Sequence, residues 1–404
     1  MSASASILDK KDDLDEFRAA IRVWLKQVLP PAEELERQAD QRGRDYAGFE
    51  KFQKWWMQEL KKVGLWTPHW AVEAGGLGLS LKHQIVIAEE MARAGAPRRN
   101  MFVITLNHIP ATLIPFGTRQ QIEKYVAGAA QGDVWCQGFS EPGAGSDLAS
   151  LRTKAERVGD HYVINGQKIW SSQSKHARYC ILLARTDFNA RKHGGISYFV
   201  LDMKAPGVEV RPIRQANERA EFSELFLTDV RIPVEDLVGQ ENKGWTVAQA
   251  TLASERGVIA FEETERTRYE MEDVLRGAVE KDAAWLKDAQ LRREFARHFA
   301  TLQGLRRLIR ELLEKNQHDP GAPTVLPSVI KVVGSQLEQN FQDLLVRIRG
   351  VEGQFFAPQL SDDAIPGNPI HDYLRSFGGT IAGGTNEVQR NIISERGLGM
   401  PRER

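Results

Sequence analysis

From residue 13 to 127 apolar side chains recur in steps of three and four, and Phe17, Ile21, Trp24, Leu25 and Val28 form one such stripe. That spacing predicts helices with one buried face. Pro30 and Pro31 end the first helix, because the residue before a proline is pushed out of helical backbone. A glycine-rich interruption at Gly75, Gly76 and Gly78 follows Trp66 and Trp70, after which helical spacing resumes through Ile85, Ile87, Met91 and Ala92. Between about 131 and 245 the pattern changes to short β-rich runs, HYVING, YCILLART, ISYFVLD and ELFLTDVRIP, separated by Gly, Asp, Asn and Pro. From 246 onward helical spacing returns, with Leu291, Phe295, Leu302, Leu305, Ile309 and Leu312 on one side and arginines on the other, and a further helix follows the Pro-Gly break at 320 to 327. No repeat at a solenoid period is visible. Disorder is expected only for about the first ten residues. The order helix, sheet, helix predicts an α+β fold of three domains: 1–130 helical, 131–245 β, and 246–404 a helical bundle.

Composition narrows the function. A chain of 404 residues exceeds one usual core, so sub-domains are expected. Lys plus Arg and Asp plus Glu each total 54, which leaves no electrostatic footprint for nucleic acid or anionic lipid. The two cysteines, Cys136 and Cys180, are too few for a disulfide framework or a zinc site, so no metal is expected, and they suit a reducing cytosol. Each reads more readily as buried filler than as a reactive thiol. The N-terminal MSASASILDKKDDLDE has no apolar core of a signal peptide, and no segment approaches the about 18 uninterrupted apolar residues of a membrane span. The expectation is a soluble, cytoplasmic protein.

Candidate chemistry begins at Ser140-Glu141-Pro142-Gly143-Ala144-Gly145-Ser146-Asp147, between the helical region and the first strands. Small residues permit close backbone approach, and exposed amides in such a turn can cradle a phosphate or the polar edge of a flavin, with the Ser146 hydroxyl as a further donor. Alone, the loop reads as an ordinary tight turn as readily as a cofactor loop.

Its company decides. The chain carries Gly64-Leu65-Trp66 with the GGLG turn, then EPGAGSD, and then Ile164-Asn165-Gly166-Gln167-Lys168-Ile169-Trp170. Ala184-Arg185-Thr186-Asp187 follows, then Leu225 to Pro233, and finally GGTNEVQRNIISERGLGMPRE. In these motifs and their order the sequence resembles the acyl-CoA dehydrogenase family along nearly its whole length. The resemblance implies that family's fold: an N-terminal helical domain, a central β-domain and a C-terminal four-helix bundle, with FAD bound where the latter two meet a neighbouring subunit. It implies that Phe139, Ser140, Gly145 and Ser146 contact the flavin and FAD phosphates, and that Trp170 and Ser172 cover the isoalloxazine. It also implies that Thr385 and Glu387 reach FAD, that the backbone N–H of Gly383 receives the thioester carbonyl, and that Ser146 and Arg256 contact substrate. Without the family, Trp170 beside Ile169 reads as core packing.

The implied reaction removes the α-proton of an acyl-CoA thioester and passes the β-hydrogen as hydride to the flavin, giving a trans-2-enoyl-CoA. It needs a carboxylate in an apolar pocket, where desolvation raises its pKa, and donors for the developing enolate. In the commonest branch of the family the base lies two residues before the Thr of the C-terminal motif, where this chain has Gly383. A second branch, which includes isovaleryl-CoA dehydrogenase, carries it immediately before an arginine on the first helix of the C-terminal domain. Here that pair is Glu255-Arg256, within an apolar run from Thr246 to Phe261 expected to form one helix. Glu255 is therefore the expected base. A plain ion pair with Arg256 is the bland reading, although adjacent helix positions point about 100° apart.

Two departures matter. The family's Arg-x-x-Phe-Gly motif is absent from AWLKDAQLRREFARHFATLQGLRRL, and Arg347 stands before Ile348, Arg349 and Gly350 where the family has a glutamine contact. A subgroup acting on CoA esters of steroid side chains and other bulky acyl groups resembles this chain in the glutamate-arginine placement and in the altered later helices, and some of its members are heterotetramers. The chain is thus expected to be a homo-oligomer or a heterotetramer with a homologous subunit, with electron-transfer flavoprotein as acceptor. Three alternatives stay open: a non-catalytic or co-catalytic subunit completing a partner's FAD site, a DNA-binding relative of the alkylation-response flavoproteins, and an acyl-CoA oxidase.

Overall fold

A computed structural model of the chain describes residues 7–31, 35, 46–217, 219–253, 257–319, 324–354 and 369–402. Among the described residues, the helices α1 (Leu14–Val28), α2 (Tyr46–Lys62) and α3 (Leu81–Arg93) come first. Asp13 caps α1 by accepting from the Asp15 and Glu16 amides, and Phe17, Ile21, Trp24 and Leu25 form its buried stripe as the spacing predicts. Ile7 is fully buried, so the expected disorder of the first ten residues does not extend to it, while residues 1–6 lie outside the described ones. After α4 (Ile109–Phe116), further helical turns run from Arg119 to Gln131.

The central strands are β1 (Trp135–Gly138), β2 (Lys154–Val158), β3 (His161–Ser172), β4 (Tyr179–Arg185), β5 (Ile196–Asp202), β6 (Val208–Ile213), β7 (Phe222–Pro233) and β8 (Leu237–Val238). They form one sheet in the order β6-β7-β3-β2-β4-β5-β8, with β1 parallel to β4. Pro212 sits in β6, an edge strand, where no ladder donor is needed on the outer side. Cys136 and Cys180 are register partners on β1 and β4, both buried and free.

Among the described residues, the helices α5 (Gly244–Ala253), α6 (Val258–Glu280), α7 (Ala289–His318), α8 (Leu326–Ile348), α9 (Pro369–Ile381) and α10 (Asn386–Ile392) follow. The single helix expected from Thr246 to Phe261 is corrected to two. Gly257 has non-helical backbone at φ −112°, ψ −123° and stands before a new helix start at Val258. The apolar run hides the break because both helices bury apolar residues.

The chain divides into two compact units. One contains α1, α3 and α6 to α10, and its core gathers Phe261, Met271, Phe295, Leu302, Leu305, Ile309, Phe341 and Leu344. The other contains α2, α4, the sheet and α5. Its sheet core includes Tyr162, Ile164, Leu182, Phe199, Leu225 and Ile232. Among the described residues no helix is long and apolar enough to cross a membrane, and no group of three or more His, Cys, Asp or Glu could hold a metal.

Candidate functional site

In the sheet-containing unit, the loop after β1 and the end of β3 are held against each other. Ile169 N–H donates to Ser140 O at 3.0 Å. Lys168 Nζ donates to Phe139 O at 3.0 Å and to Glu141 Oε1 at 2.8 Å. Glu141 also accepts from Thr153 N–H (2.8 Å) and Thr153 Oγ1 (2.6 Å) on Oε1, and from Arg152 N–H (2.7 Å) on Oε2. Burial pushes the Lys168 ammonium down to about 8, against the pull of Glu141. Burial would push the Glu141 carboxyl up, but Lys168, Thr153 and the Arg152 amide outweigh it and hold it below the usual range. Phe139 is buried edge-on to Tyr198, ring centroids 5.8 Å apart.

Beyond these anchors the loop opens outward. Glu141 and Ala144 exchange backbone hydrogen bonds of 3.1 and 3.0 Å, closing a turn whose neighbours Gly143, Gly145, Ser146 and Asp147 are exposed. A Cβ added at Gly143 or Gly145 would meet nothing within 4 Å. Downstream, buried Arg185 donates to Ala149 O at 2.6 Å and to Leu151 O at 3.0 Å. Both ends are tied while the tip stays clear.

Trp170 owes its exposure to a bulge. The β3–β7 register passes from Lys168↔Leu225 to Ser171↔Ser223, which inserts one extra residue in β3. Trp170 takes up the distortion with a left-handed φ of 63°, and the residue is 55% exposed. That backbone costs a non-glycine residue about 1 kcal/mol or more. Next to it, the hydroxyls of Ser171 and of its register partner Ser223 are buried with no hydrogen-bond partner. Ser172 is half-buried.

In the other unit, Gly383, Thr385 and Glu387 share the turn from α9 into α10. Gly383 and Gly384 both have left-handed φ, 66° and 88°, and a Cβ on Gly384 would lie 2.5 Å from Gln389 Nε2. Gln389 donates to Gly383 O at 3.2 Å, and Thr385 Oγ1 caps α10 by accepting from Val388 N–H at 3.3 Å. Asn386 Oδ1 accepts from Lys331 Nζ at 2.8 Å and Ser335 Oγ at 3.0 Å, which ties the turn to α8. Glu387 is exposed, its carboxyl held below the usual range by its own amide and the Thr385 hydroxyl.

The structure thus brings Phe139, Ser140 and Trp170 together in one unit and Gly383, Thr385 and Glu387 together in the other. Glu255 and Arg256 lie outside the described residues. Sequence reasoning assigns no role to Lys168 or Glu141, although both lie in its motifs. The available signal is that Lys168 keeps step with buried Tyr162 and Ile164 along β3 and so falls on the inward face.

Family models match in chain order: acyl-CoA dehydrogenase N-terminal domain at residues 11–133, middle domain at 136–230 and C-terminal domain at 242–398. The chain is 37% identical over 398 residues to acyl-CoA dehydrogenase IpdE1 of Mycobacterium tuberculosis, covering 97% of this chain and 99% of that one. The solved Tcur3481-Tcur3483 steroid ACAD matches with a TM-score of 0.84 at 32% identity, over 97% of this chain and 98% of that one. The ChsE4-ChsE5 complex from Mycobacterium tuberculosis matches with a TM-score of 0.79 at 29% identity, over 98% of each chain. The chain belongs to the acyl-CoA dehydrogenase family, oxidoreductases that act on CH–CH bonds.

Members of this family are flavoproteins that use FAD. The residues present fit such a group. A planar indole stands exposed on a strained bulge, the adjoining loop tip has space around its glycines, and unpartnered hydroxyls lie beside the bulge.

Proposed function

We propose that this chain catalyses FAD-dependent α,β-dehydrogenation of an acyl-CoA thioester to the trans-2-enoyl-CoA. The observation that carries the reading is the pairing of the open EPGAGSD loop with the exposed Trp170 bulge, tied together through Ser140, Ile169 and Lys168. Phe139, Ser140, Gly145 and Ser146 would hold the cofactor on one side, with Trp170 and Ser172 against its ring and Thr385 and Glu387 as further contacts. When bound, FAD supplies the two-electron acceptor for the β-hydrogen, which leaves as hydride. Glu255 takes the α-proton, and the Gly383 N–H donates to the thioester carbonyl as negative charge develops on its oxygen. Ser146 and Arg256 contact substrate.

Two facts support Glu255. Gly383 leaves no carboxylate two residues before Thr385, and the helix leading towards Glu255 is largely apolar, with Val247, Ala248 and Thr251 buried. The test is anaerobic mixing of the purified protein with short, long, branched and steroid CoA thioesters while flavin absorbance is followed. At least one thioester should bleach the flavin, and Glu255→Gln should retain FAD but abolish bleaching. A flavin that no thioester reduces overturns the reading, and undiminished reduction in Glu255→Gln overturns the base.

A second reading concerns assembly. The absent Arg-x-x-Phe-Gly motif and the similarity to the ChsE4-ChsE5 complex favour a heteromer in which a homologous subunit completes the FAD site. Similarity to a steroid ACAD favours a bulky acyl group. If the protein purified alone holds one FAD per chain and turns over, the heteromer is excluded. The same proposal places the domain boundaries at 1–130, 131–245 and 246–404, with an electron-transfer flavoprotein reoxidising the enzyme in the cytoplasm.

A further inference from the structure

Lys168 is fully buried and Glu141 nearly so, and the two are paired at 2.8 Å. Such a pair is a poor device for stability alone, because desolvating two charges offsets most of their attraction and an apolar pair of similar volume serves a core as well. What it does supply is geometry. The ammonium has donors directed at two acceptors on one loop, Phe139 O and Glu141 Oε1. The carboxylate collects donors from Arg152 and Thr153, on the far side of the same loop. Three segments, 139–141, 152–153 and 168, are thereby fixed around one buried centre. The Ile169–Ser140 backbone bond then aligns the loop with the strand that leads directly into the Trp170 bulge. Arg185 secures the downstream end at Ala149 and Leu151, so the tip, exposed at Pro142, Gly143, Gly145, Ser146 and Asp147, is framed on both sides.

We infer that the Lys168–Glu141 pair is a positioning device that sets the Phe139–Ser146 loop in its cofactor-binding form before FAD arrives. This rests on the proposal that the loop binds FAD. Pre-forming a loop removes its ordering cost from the binding step, so the consequence is tighter cofactor binding and a fixed flavin environment rather than a new contact.

The deciding variants are Lys168→Met, which removes the ammonium but keeps the stem, and the double variant Lys168→Met/Glu141→Gln, which leaves no buried charge unpaired. For a positioning role, the FAD dissociation constant rises at least tenfold in both, and the visible absorption band of bound flavin changes shape. Thermal stability of the FAD-free double variant recovers towards that of the parent, while FAD affinity does not, because Phe139 O still lacks its donor. A double variant with the parent's affinity and flavin spectrum overturns the inference. Hydrogen exchange on the parent decides the matter if the variants do not fold. The Glu141 and Ala144 amides should be protected already in FAD-free protein, and protection that appears only on adding FAD overturns the inference. If the parent binds no FAD, the functional proposal fails, whereas exchange still reads the loop.

Discussion

Trp170 stands edge-on to Phe222, ring centroids 6.3 Å apart, on a backbone that only the β3 bulge explains. A left-handed tryptophan that is more than half exposed does little for the fold and carries a strain that glycine would relieve. Trp170→Gly is therefore expected to leave the stability of FAD-free protein unchanged or higher by up to about 1 kcal/mol. The same substitution should weaken FAD binding several-fold. Melting curves and FAD fluorescence titrations separate the two effects, and a variant that loses stability but keeps FAD affinity would make Trp170 a structural residue.

Gly244 begins α5 where the helix meets β5. A Cβ there would lie 2.5 Å from Ser197 C and 2.6 Å from Tyr198 N, both backbone atoms that cannot rotate away. Gly244→Ala should destabilise the protein by about 1–3 kcal/mol, the range for overpacking a rigid site. Urea denaturation of the two proteins checks this. An alanine tolerated within about 0.5 kcal/mol would mean that the helix start shifts freely.

Much of the fold is legible where one period dominates. The Phe295 to Leu312 stripe of α7 lies in the helical core, and ISYFVLD forms β5 residue for residue. β6 escapes notice because it is a short edge strand whose alternation, Val208-Glu209-Val210-Arg211, is cut off after four residues by Pro212. The break between α5 and α6 escapes notice because a glycine interrupts an apolar run without changing its period. At the site, the loop and Trp170 can be found through their motifs. The bulge that exposes Trp170 cannot, since one inserted residue is visible only against the partner strand. Asn165 shows the converse. It belongs to a family motif, yet it exchanges hydrogen bonds of 3.0 Å with Asp229 at a second irregularity between β3 and β7, which is a structural task.

Glu265 on α6 is completely buried and receives Arg306 of α7 through Nε at 2.6 Å and Nη2 at 3.2 Å, with Arg268 Nε 3.0 Å away. Removing Arg306 takes away both of its hydrogen bonds to the buried carboxylate and leaves Arg268 as the remaining cation beside it. Arg306→Met, which preserves the aliphatic stem, is expected to cost about 3 kcal/mol. Arg306→Met combined with Glu265→Gln should recover part of that loss. Denaturant unfolding of the single and double variants measures the coupling, and strictly additive effects would show that the two residues do not act as a pair.

Glu90 on α3 titrates under opposing influences whose sign sets the acid stability of the helical unit. Burial alone would push its carboxyl up, but Arg22, Arg93 and Arg18 donate to it at 2.8, 2.8 and 2.9 Å and hold it at about 2, against an ordinary 4.5. As pH falls through 4.5, the unfolded chain takes up a proton at this position that the folded chain refuses. Stability contributed by the cluster is therefore full above pH 4.5, declines as pH falls, and is gone near pH 2. Its size is on the order of 3 kcal/mol. In Glu90→Gln that increment is missing at every pH, so the gap in unfolding free energy between parent and variant should be widest near neutrality and close through this window. Urea unfolding at a series of pH values measures the gap directly, and one that stays constant from pH 6 to pH 3 would assign the acid sensitivity to other carboxylates.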